Sequence, residues 1–200
     1  WDVVEGDIQT LELLAPTGAL EAIDYSIVDK STIMPEFIWN HGVGHYTYSY
    51  VLAYDTSKFS GAAPTSWADF FDTKRYPGKR AMWKWGYAAL EAALLADGVA
   101  PADVYPLDIP RAIAKLETIK DDLIVWGTGA DSQQLFHREE IVMSQMWNGR
   151  ASVVMKDTNG RVKYTFNQGI MSPNISIILK GNPADAEWAN RFIAGTRDAE

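Results

Sequence analysis

Short runs of β-forming residues alternate along the chain with apolar-periodic stretches of about ten residues, and this alternation constrains the fold most strongly. The clearest strand signal is residues 46–54, because tyrosine and β-branched side chains favour a pleated surface. Other strands are predicted at 1–5, 79–83, 123–126, 141–146, 162–166 and 176–179, and helices at 10–18, 66–71, 88–95, 108–120, 131–139, 150–157 and 183–196. This order predicts an α/β fold with a mainly parallel sheet.

Charge and composition exclude several classes of partner and site. The net charge of −8 argues against nucleic acid and anionic lipid as partners. The chain has no cysteine, so disulfides and thiolate metal sites are excluded. No apolar run approaches the ~18 residues of a membrane-spanning helix.

Motifs of common enzymes are missing from the sequence. It has no phosphate-binding glycine loop with lysine, no nucleophile elbow and no dinucleotide fingerprint. His41 and His45 are four residues apart but flank glycines, so no helix holds them on one face for zinc. Glu139 and Glu140 sit beside basic residues and are interpreted as a solvated helix end. We therefore predict no catalytic residue, no metal ligand and no cofactor.

Aromatic residues follow three predicted strands where those strands end. The eight tryptophans include Trp83, Trp126 and Trp147 at these positions, with Trp85 and Tyr87 just after the first. Ligands of α/β sheets bind at the carboxyl ends of strands. The sequence thus predicts that tryptophans from three strand ends face one crevice. Flat aromatic walls suit alkyl chains, sugar faces or ammonium groups.

Six segments, in the same order, resemble a known family. They are Ser66-Trp67-Ala68-Asp69-Phe70, Tyr76-Pro77-Gly78-Lys79, Trp147-Asn148-Gly149, Trp1-Asp2-Val3-Val4, Gly42-Val43-Gly44 and residues 187–193. The chain resembles bacterial ABC-transporter extracytoplasmic solute-binding proteins, and among them the spermidine/putrescine (polyamine)-binding family. The ordered set of segments covers nearly the whole chain.

This resemblance implies a type II periplasmic-binding fold, in which two α/β lobes joined by hinge strands trap a ligand between them. Residues 1–50 would form part of lobe one, residues 51–170 lobe two, and residues 171–200 the return crossing and a lobe-one helix. The chain is expected to be incomplete at both ends, and no signal peptide opens it.

The resemblance also implies ligand-binding positions, which are Asp7, Gln9, Tyr48, Trp85, Tyr87, Trp147, Asn148, Ser172 and Asn174. The chain departs from the family at its acidic positions, where it has Trp85, Ala88 and Asn174. A buried ammonium group needs a charged or well-bonded partner. Lys84 and Arg150 could instead meet an anionic group on the ligand.

The implied function is non-catalytic capture of a polyamine or related amine in the periplasm by a monomer, for delivery to an ABC-transporter permease. A zwitterionic amino-acid-like solute or a neutral solute remains an alternative ligand. The tyrosines of residues 46–54 suggest a ferric-ion receptor as a further alternative. A glycoside hydrolase with stacking tryptophans and two carboxylates, or a carbohydrate-binding module, is the remaining reading.

Overall fold

The computed structural model describes residues 1–197 of the 200-residue chain. The strands of this range are β1 Val3–Gly6, β2 Val43–Asp55, β3 Arg80–Trp83, β4 Leu123–Trp126, β5 Met143–Trp147 and β6 Val162–Ile178. Its α-helices are α1 Ile8–Leu14, α2 Trp67–Phe71, α3 Gly86–Ala96, α4 Ile109–Glu117, α5 Gly129–His137, α6 Asn148–Asp157 and α7 Asp185–Gly195. The predicted α/β class is confirmed.

The chain divides into two compact units. Unit 1 comprises Trp1–Tyr48 and the C-terminal part from Ser172 onward, and unit 2 comprises Ser49–Met171. Strands β2 and β6 each begin in one unit and end in the other. All other strands and helices lie within a single unit.

Unit 2 contains a sheet with the strand order β2-β5-β3-β4. Strand β3 is parallel to both β4 and β5, whereas β2 is antiparallel to β5. In unit 1, β1 pairs antiparallel with the last part of β6. The expectation of a mainly parallel sheet therefore holds only for the three strands β5, β3 and β4, whose carboxyl ends lie at one edge of the sheet.

The core of unit 2 packs helices against this sheet. Trp67 and Phe70 of α2, Met82 of β3 and Leu94 of α3 are all buried in one cluster. Burying each such side chain stabilises the fold by about 1.5–3 kcal/mol. The alanine-rich face of α3 has no bulk to hold neighbours away, so α2 and α4 pack closely against it. The rigid scaffold of the candidate site is this helix-on-sheet core.

Unit 1 has two smaller clusters of buried apolar residues. In one of them, Val43 and Ile178 pack with Ile193 of α7. In the other, Leu11 of α1 packs with Ile175 and Ile177 of β6. Alternate residues of β6 thus face opposite sides, as the period of a strand requires.

Strand β6 differs from the sequence prediction. Two separate strands at 162–166 and 176–179 were expected, but residues 162–178 form one strand of 17 residues. Gly169 and Pro173 lie in the middle, and both residue types disfavour strand interiors. Gln168 even adopts a left-handed conformation with φ of 56°. Pairing with the adjacent strands β1 and β2 of the sheet overrides these local preferences.

An ion pair with a buried carboxylate joins the end of β2 to the residue that precedes β6, inside unit 2. The carboxylate of Asp55 is fully buried and pairs with the guanidinium of Arg161. The other carboxylate oxygen accepts hydrogen bonds from the backbone N–H of Ser57 at 2.9 Å and from its hydroxyl at 2.6 Å. The Arg161 carbonyl accepts from the Thr56 N–H at 2.9 Å, so side chains and backbone fix the same junction.

Helix α2 begins with a capping box, which supports a stability prediction. The Ser66 hydroxyl accepts from the Asp69 N–H at 3.2 Å, and the Asp69 carboxylate accepts from the Ser66 N–H at 3.2 Å. We expect Ser66→Ala to lower the free energy of unfolding by about 1 kcal/mol, measured by urea denaturation. Ser152→Ala, at an exposed position within α6, is the matched control and should change it by less than about 0.5 kcal/mol. Equal effects of the two changes would contradict a capping role.

Candidate functional site

Five aromatic side chains of unit 2 pack together and are called the aromatic cluster: Tyr50, Trp83, Tyr87, Trp126 and Trp147. Its centre is three tryptophans, with ring centroids 4.6 Å apart for Trp83–Trp126 and 5.2 Å apart for both Trp83–Trp147 and Trp126–Trp147. The two tyrosine rings stand edge-on, 6.3 to 6.5 Å from their neighbours. Edge-to-face and tilted geometries at these distances are the favourable ones.

The sheet register explains why these residues meet. Trp83 and Trp126 are the last residues of parallel strands and are direct partners in the ladder. Trp147 ends the parallel strand β5 on the other side of β3, and it is paired with Tyr50 of β2. Parallel strands that end at one edge therefore deliver three indole rings to the same place, as the sequence predicted.

The burial of these rings differs from the prediction. Trp126 is 1% exposed and Trp83 is 9% exposed, so the expectation that all three strand-end tryptophans line a crevice is wrong. Trp126 and Trp83 form the floor under Trp147, which is half-buried, as is Tyr87. The last residue of a strand becomes part of the core when neighbouring rings cover it, and sequence position alone does not show this.

The indole of Trp83 has a hydrogen-bond donor without a partner in the described part of the chain. The Nε1 atom of Trp83 is buried and has no hydrogen-bond partner among residues 1–197. Buried donors in native proteins nearly always have a partner, so such an atom needs an explanation. Trp126, by contrast, donates its indole N–H to the Gln145 carbonyl at 2.9 Å.

Gln145 of β5 connects the elements that carry the cluster. Its side chain is fully buried. The Oε1 atom accepts from the backbone N–H of Trp83 at 3.2 Å, and the Nε2 atom donates to the Ala88 carbonyl at 2.8 Å. The sequence analysis missed this residue. A lone amide side chain within the apolar run of β5 was the signal available, because a buried amide must have partners.

The chain between Trp83 and α3 has a strained backbone. Ala88 adopts φ of 62°, and Tyr87 before it has an extended ψ of 146°, so the first turn of α3 is not helical. An L-residue other than glycine in this conformation costs free energy and occurs preferentially at functional sites. The consequence here is that the Tyr87 ring is turned onto Tyr50 and Trp83.

Two cationic side chains lie beside the cluster, next to the start of α5. A β-carbon added at Gly129 would lie 2.6 Å from Arg150 Nε and 3.1 Å from the Trp147 ring, so glycine lets both side chains pass close to the backbone. A β-carbon at Gly127 would lie 3.5 Å from Lys84 Nζ. Arg150 and Lys84 are both exposed. They bring two positive charges to this edge of unit 2, which are partly offset by the Asp131 carboxylate that caps the start of α5.

The other predicted site residues of unit 2 have different surroundings. Trp85 is 54% exposed, and Lys84 Nζ lies 5.1 Å from the centre of its ring. Asn148, the first residue of α6, accepts from the Ser49 N–H at 2.9 Å through its side-chain oxygen. Trp147 and Tyr87 are thus in the cluster, Trp85 stands outside it with Lys84, and Asn148 is bonded to the middle of β2 at Ser49.

The predicted site residues of unit 1 are described separately. Asp7 is the N-cap of α1, and one of its oxygens accepts from the Thr10 N–H at 2.8 Å and the Thr10 hydroxyl at 2.7 Å. Gln9 is exposed, and Tyr48 and Ser172 are half-buried. The side-chain oxygen of Asn174 is buried and has no hydrogen-bond partner in the described part of the chain.

Groups that could support catalysis or metal binding have ordinary structural roles. Within residues 1–197 no three histidine, aspartate or glutamate side chains converge on a possible metal site. His41 contacts the Glu21 carbonyl at 3.1 Å through Nδ1. A hydrogen bond from Lys58 at 2.8 Å holds the pKa of Glu139 below its ordinary value. No helix in that same range is long and apolar enough to cross a bilayer.

Comparison with known proteins shows relatives that are named for binding γ-aminobutyrate. The chain is 36% identical, over 97% of its length, to a gamma-aminobutyric acid-binding protein of Pseudomonas aeruginosa, of which it covers 56%. It is 40% identical to the solved Atu4243-GABA receptor, with a TM-score of 0.90, covering 98% of this chain and 61% of that one. The chain thus spans about three fifths of the length of these relatives.

A polyamine receptor also has the same fold. The spermidine/putrescine substrate-binding protein PotD of Streptococcus pneumoniae superposes with a TM-score of 0.76 over 99% of this chain and 63% of its own, at 15% identity. At that identity the likeness shows a shared fold alone. The family described as bacterial extracellular solute-binding protein matches residues 1–200. The chain therefore belongs to the bacterial extracellular solute-binding protein family, which includes ABC-transporter receptors.

Proposed function

We propose that this protein captures a small amino-acid-like zwitterion of the γ-aminobutyrate class, without catalysis, and delivers it to an ABC importer. The observation that carries the proposal is the juxtaposition of the aromatic cluster with Arg150 beside Trp147. Relatives of 36% and 40% identity that are named for γ-aminobutyrate support this ligand class. The sequence analysis held it as the alternative to a polyamine.

The two ends of such a ligand need different surroundings. Aromatic faces attract an ammonium group by about 0.5–2 kcal/mol, and the half-buried rings of Trp147 and Tyr87 are the accessible part of the cluster. A carboxylate prefers a guanidinium, which can form two parallel hydrogen bonds with it. Arg150 is the guanidinium beside the Trp147 ring, and it donates one hydrogen bond to Gln133 at 3.0 Å, which leaves further N–H groups for a carboxylate.

A polyamine such as putrescine remains the second candidate, on the ordered segments that the sequence shares with that family. It has no carboxylate, so Arg150 and Lys84 would repel it. Its ammonium groups would need carboxylates, and one oxygen of Asp7 is already engaged in capping α1. Charge therefore favours the zwitterion. Tyr50 of β2 is buried in the aromatic cluster, which disfavours a ferric-ion site that includes it, whereas Tyr46 is 49% exposed.

The wider role follows from family membership. We propose that unit 1 is part of one lobe and unit 2 the other lobe of a periplasmic receptor, which acts as a monomer and meets an ABC-transporter permease. Bacterial extracellular solute-binding proteins supply the precedent for this role.

Calorimetric titration of the full-length protein with γ-aminobutyrate, putrescine, spermidine and a neutral sugar tests the ligand class. We expect γ-aminobutyrate or a close zwitterion to bind and to raise the unfolding temperature, because a ligand of the folded state stabilises it by mass action. Binding of putrescine or spermidine without any zwitterion would reverse the assignment. Binding of none of the four would overturn this ligand class altogether.

The charge on Arg150 gives a sharper prediction. We expect Arg150→Gln to weaken γ-aminobutyrate binding at least about tenfold, because a hydrogen bond between charged groups contributes about 1.5–3 kcal/mol. Any weak putrescine binding should be unchanged or improve. Arg138→Gln is the matched control, since Arg138 is a 69%-exposed arginine of unit 2 paired only loosely with Glu140 at 3.8 Å. Equal losses in both variants, measured by titration calorimetry, would remove Arg150 from the site.

A further inference from the structure

We propose that Gln145 is a positioning residue, which sets the aromatic cluster in its ligand-binding arrangement and so controls affinity and ligand-length discrimination. The inference rests on the proposed function. Gln145 would not touch the solute, because its side chain is fully buried. It would act through the three chain segments that its side chain and backbone hold together.

The side chain of Gln145 connects two backbone segments. Its Oε1 accepts from the backbone N–H of Trp83 at 3.2 Å. This hydrogen bond extends the bonding between β3 and β5 past the last residue pair of their ladder. Its Nε2 donates to the Ala88 carbonyl at 2.8 Å. One planar amide therefore fixes the distance between the end of β3 and the first turn of α3.

The bond to Ala88 matters because the backbone there is strained. A left-handed Ala88 with φ of 62° persists only if surrounding contacts favour it over a regular helical turn. The Gln145 amide supplies such a contact. Without it, Ala88 can relax, and relaxation would rotate Tyr87, the preceding residue, away from Tyr50 and Trp83.

The backbone of Gln145 holds a third part of the cluster. Its carbonyl accepts the Trp126 indole N–H at 2.9 Å, and Trp147 lies two residues further along β5. Trp83, Tyr87, Trp126 and Trp147 are thus all located relative to this one residue. A side-chain substitution removes only the bonds to Trp83 and Ala88, so its effect should appear in the position of Tyr87 and of the β3 end.

Unit 2 offers a control glutamine that, like Gln145, accepts a tryptophan backbone N–H through its side chain and a tryptophan indole N–H through its carbonyl. The Gln168 side chain accepts from the Trp67 N–H at 2.9 Å, and the Gln168 carbonyl accepts from the Trp67 indole at 2.8 Å. Trp67, however, is 1% exposed in the helix-on-sheet core and has no ring contact with the cluster among the described residues. Gln168→Met should therefore lower stability without altering ligand recognition.

The experiment compares Gln145→Met with Gln168→Met in the full-length protein. We expect Gln145→Met to weaken γ-aminobutyrate binding at least about tenfold, and to change the affinity ratio between γ-aminobutyrate and the one-methylene-shorter β-alanine by at least about threefold. Gln168→Met should keep both values within twofold of wild type. Near-ultraviolet circular dichroism, which reports fixed aromatic packing, should change for Gln145→Met in the absence of ligand.

The proposal would be overturned if Gln145→Met had the same affinity, affinity ratio and near-ultraviolet spectrum as wild type. It would also be overturned if Gln145→Met and Gln168→Met lost affinity equally. If Gln145→Met does not fold, Gln145→Glu decides instead. A buried carboxyl favours its neutral form, which can both accept and donate like the amide. We expect the affinity of Gln145→Glu for γ-aminobutyrate to increase as pH falls from 8 to 6, while the affinity of wild type stays constant. An affinity of Gln145→Glu that does not change with pH would contradict the proposal.

Failure of the proposed function gives a different pattern. If wild type binds no zwitterion, the proposed ligand class fails, but the ligand-free spectra still report whether Gln145 holds the cluster. If wild type binds and the spectra of Gln145→Met and wild type coincide, the positioning role fails while the receptor function stands.

Discussion

Trp147→Ala is expected to reduce zwitterion affinity at least about 30-fold, the largest functional effect of any single change proposed for this protein. Tryptophans at the centre of an interface commonly contribute 2 kcal/mol or more to binding. Trp147 is the half-buried ring that lies over the floor of the cluster, 5.2 Å from both Trp83 and Trp126. It also lies near Arg150 at Gly129, so its loss would remove an aromatic wall beside the guanidinium.

Two further variants separate recognition from packing. Trp147→Phe keeps an aromatic face and should recover most of the affinity that Trp147→Ala loses. Phe166→Ala removes an aromatic ring that is 57% exposed elsewhere in unit 2 and should bind ligand like wild type. Titration calorimetry measures all three. An unchanged affinity in Trp147→Ala would exclude the cluster as the ligand surface.

Arg161→Ala is expected to lower the free energy of unfolding by about 3–5 kcal/mol, because it leaves the carboxylate of Asp55 buried without its countercharge. The Arg161 guanidinium also donates to the Phe136 carbonyl at 3.3 Å, so a second polar group loses a partner. Urea denaturation of the full-length protein gives the free-energy difference.

An exposed ion pair supplies the control for this experiment. Arg111 donates to Asp97 at 2.7 Å, but both side chains are more than a third exposed, and water screens their attraction. Arg111→Ala should therefore cost less than about 1 kcal/mol. A similar cost for both arginine variants would show that burial of Asp55 does not determine the strength of its pair.

Local sequence signals were sufficient for most of the scaffold. The tyrosine-rich run predicted β2, and Ser66 marked the start of α2 where the structure has a capping box. These signals work because propensity and capping depend on neighbouring residues only. The middle of β6 contains Gly169 and Pro173, which disfavour a strand. Its extended conformation depends on pairing with strands that are distant in sequence, and a local pattern does not encode that pairing.

The candidate site was predictable in part for the same reason. The convergence of Trp83, Trp126 and Trp147 followed from parallel strand ends meeting at one edge. Which of the three rings are covered depends on packing in three dimensions, and Trp126 proved to be core. The bonds from Gln145 to Trp83 and Ala88 join residues that lie 62 and 57 positions away, beyond any local motif.

The uneven burial around the cluster has a consequence for which substitutions can change the proposed ligand preference. Lys84, Trp85 and Arg150 are exposed, so substitutions there can alter charge and size at little cost to folding. Gln145 and Trp126 are buried, so random substitutions at those positions are expected to destabilise the fold. A directed-evolution library for new solutes should therefore randomise the exposed trio and keep the buried pair constant.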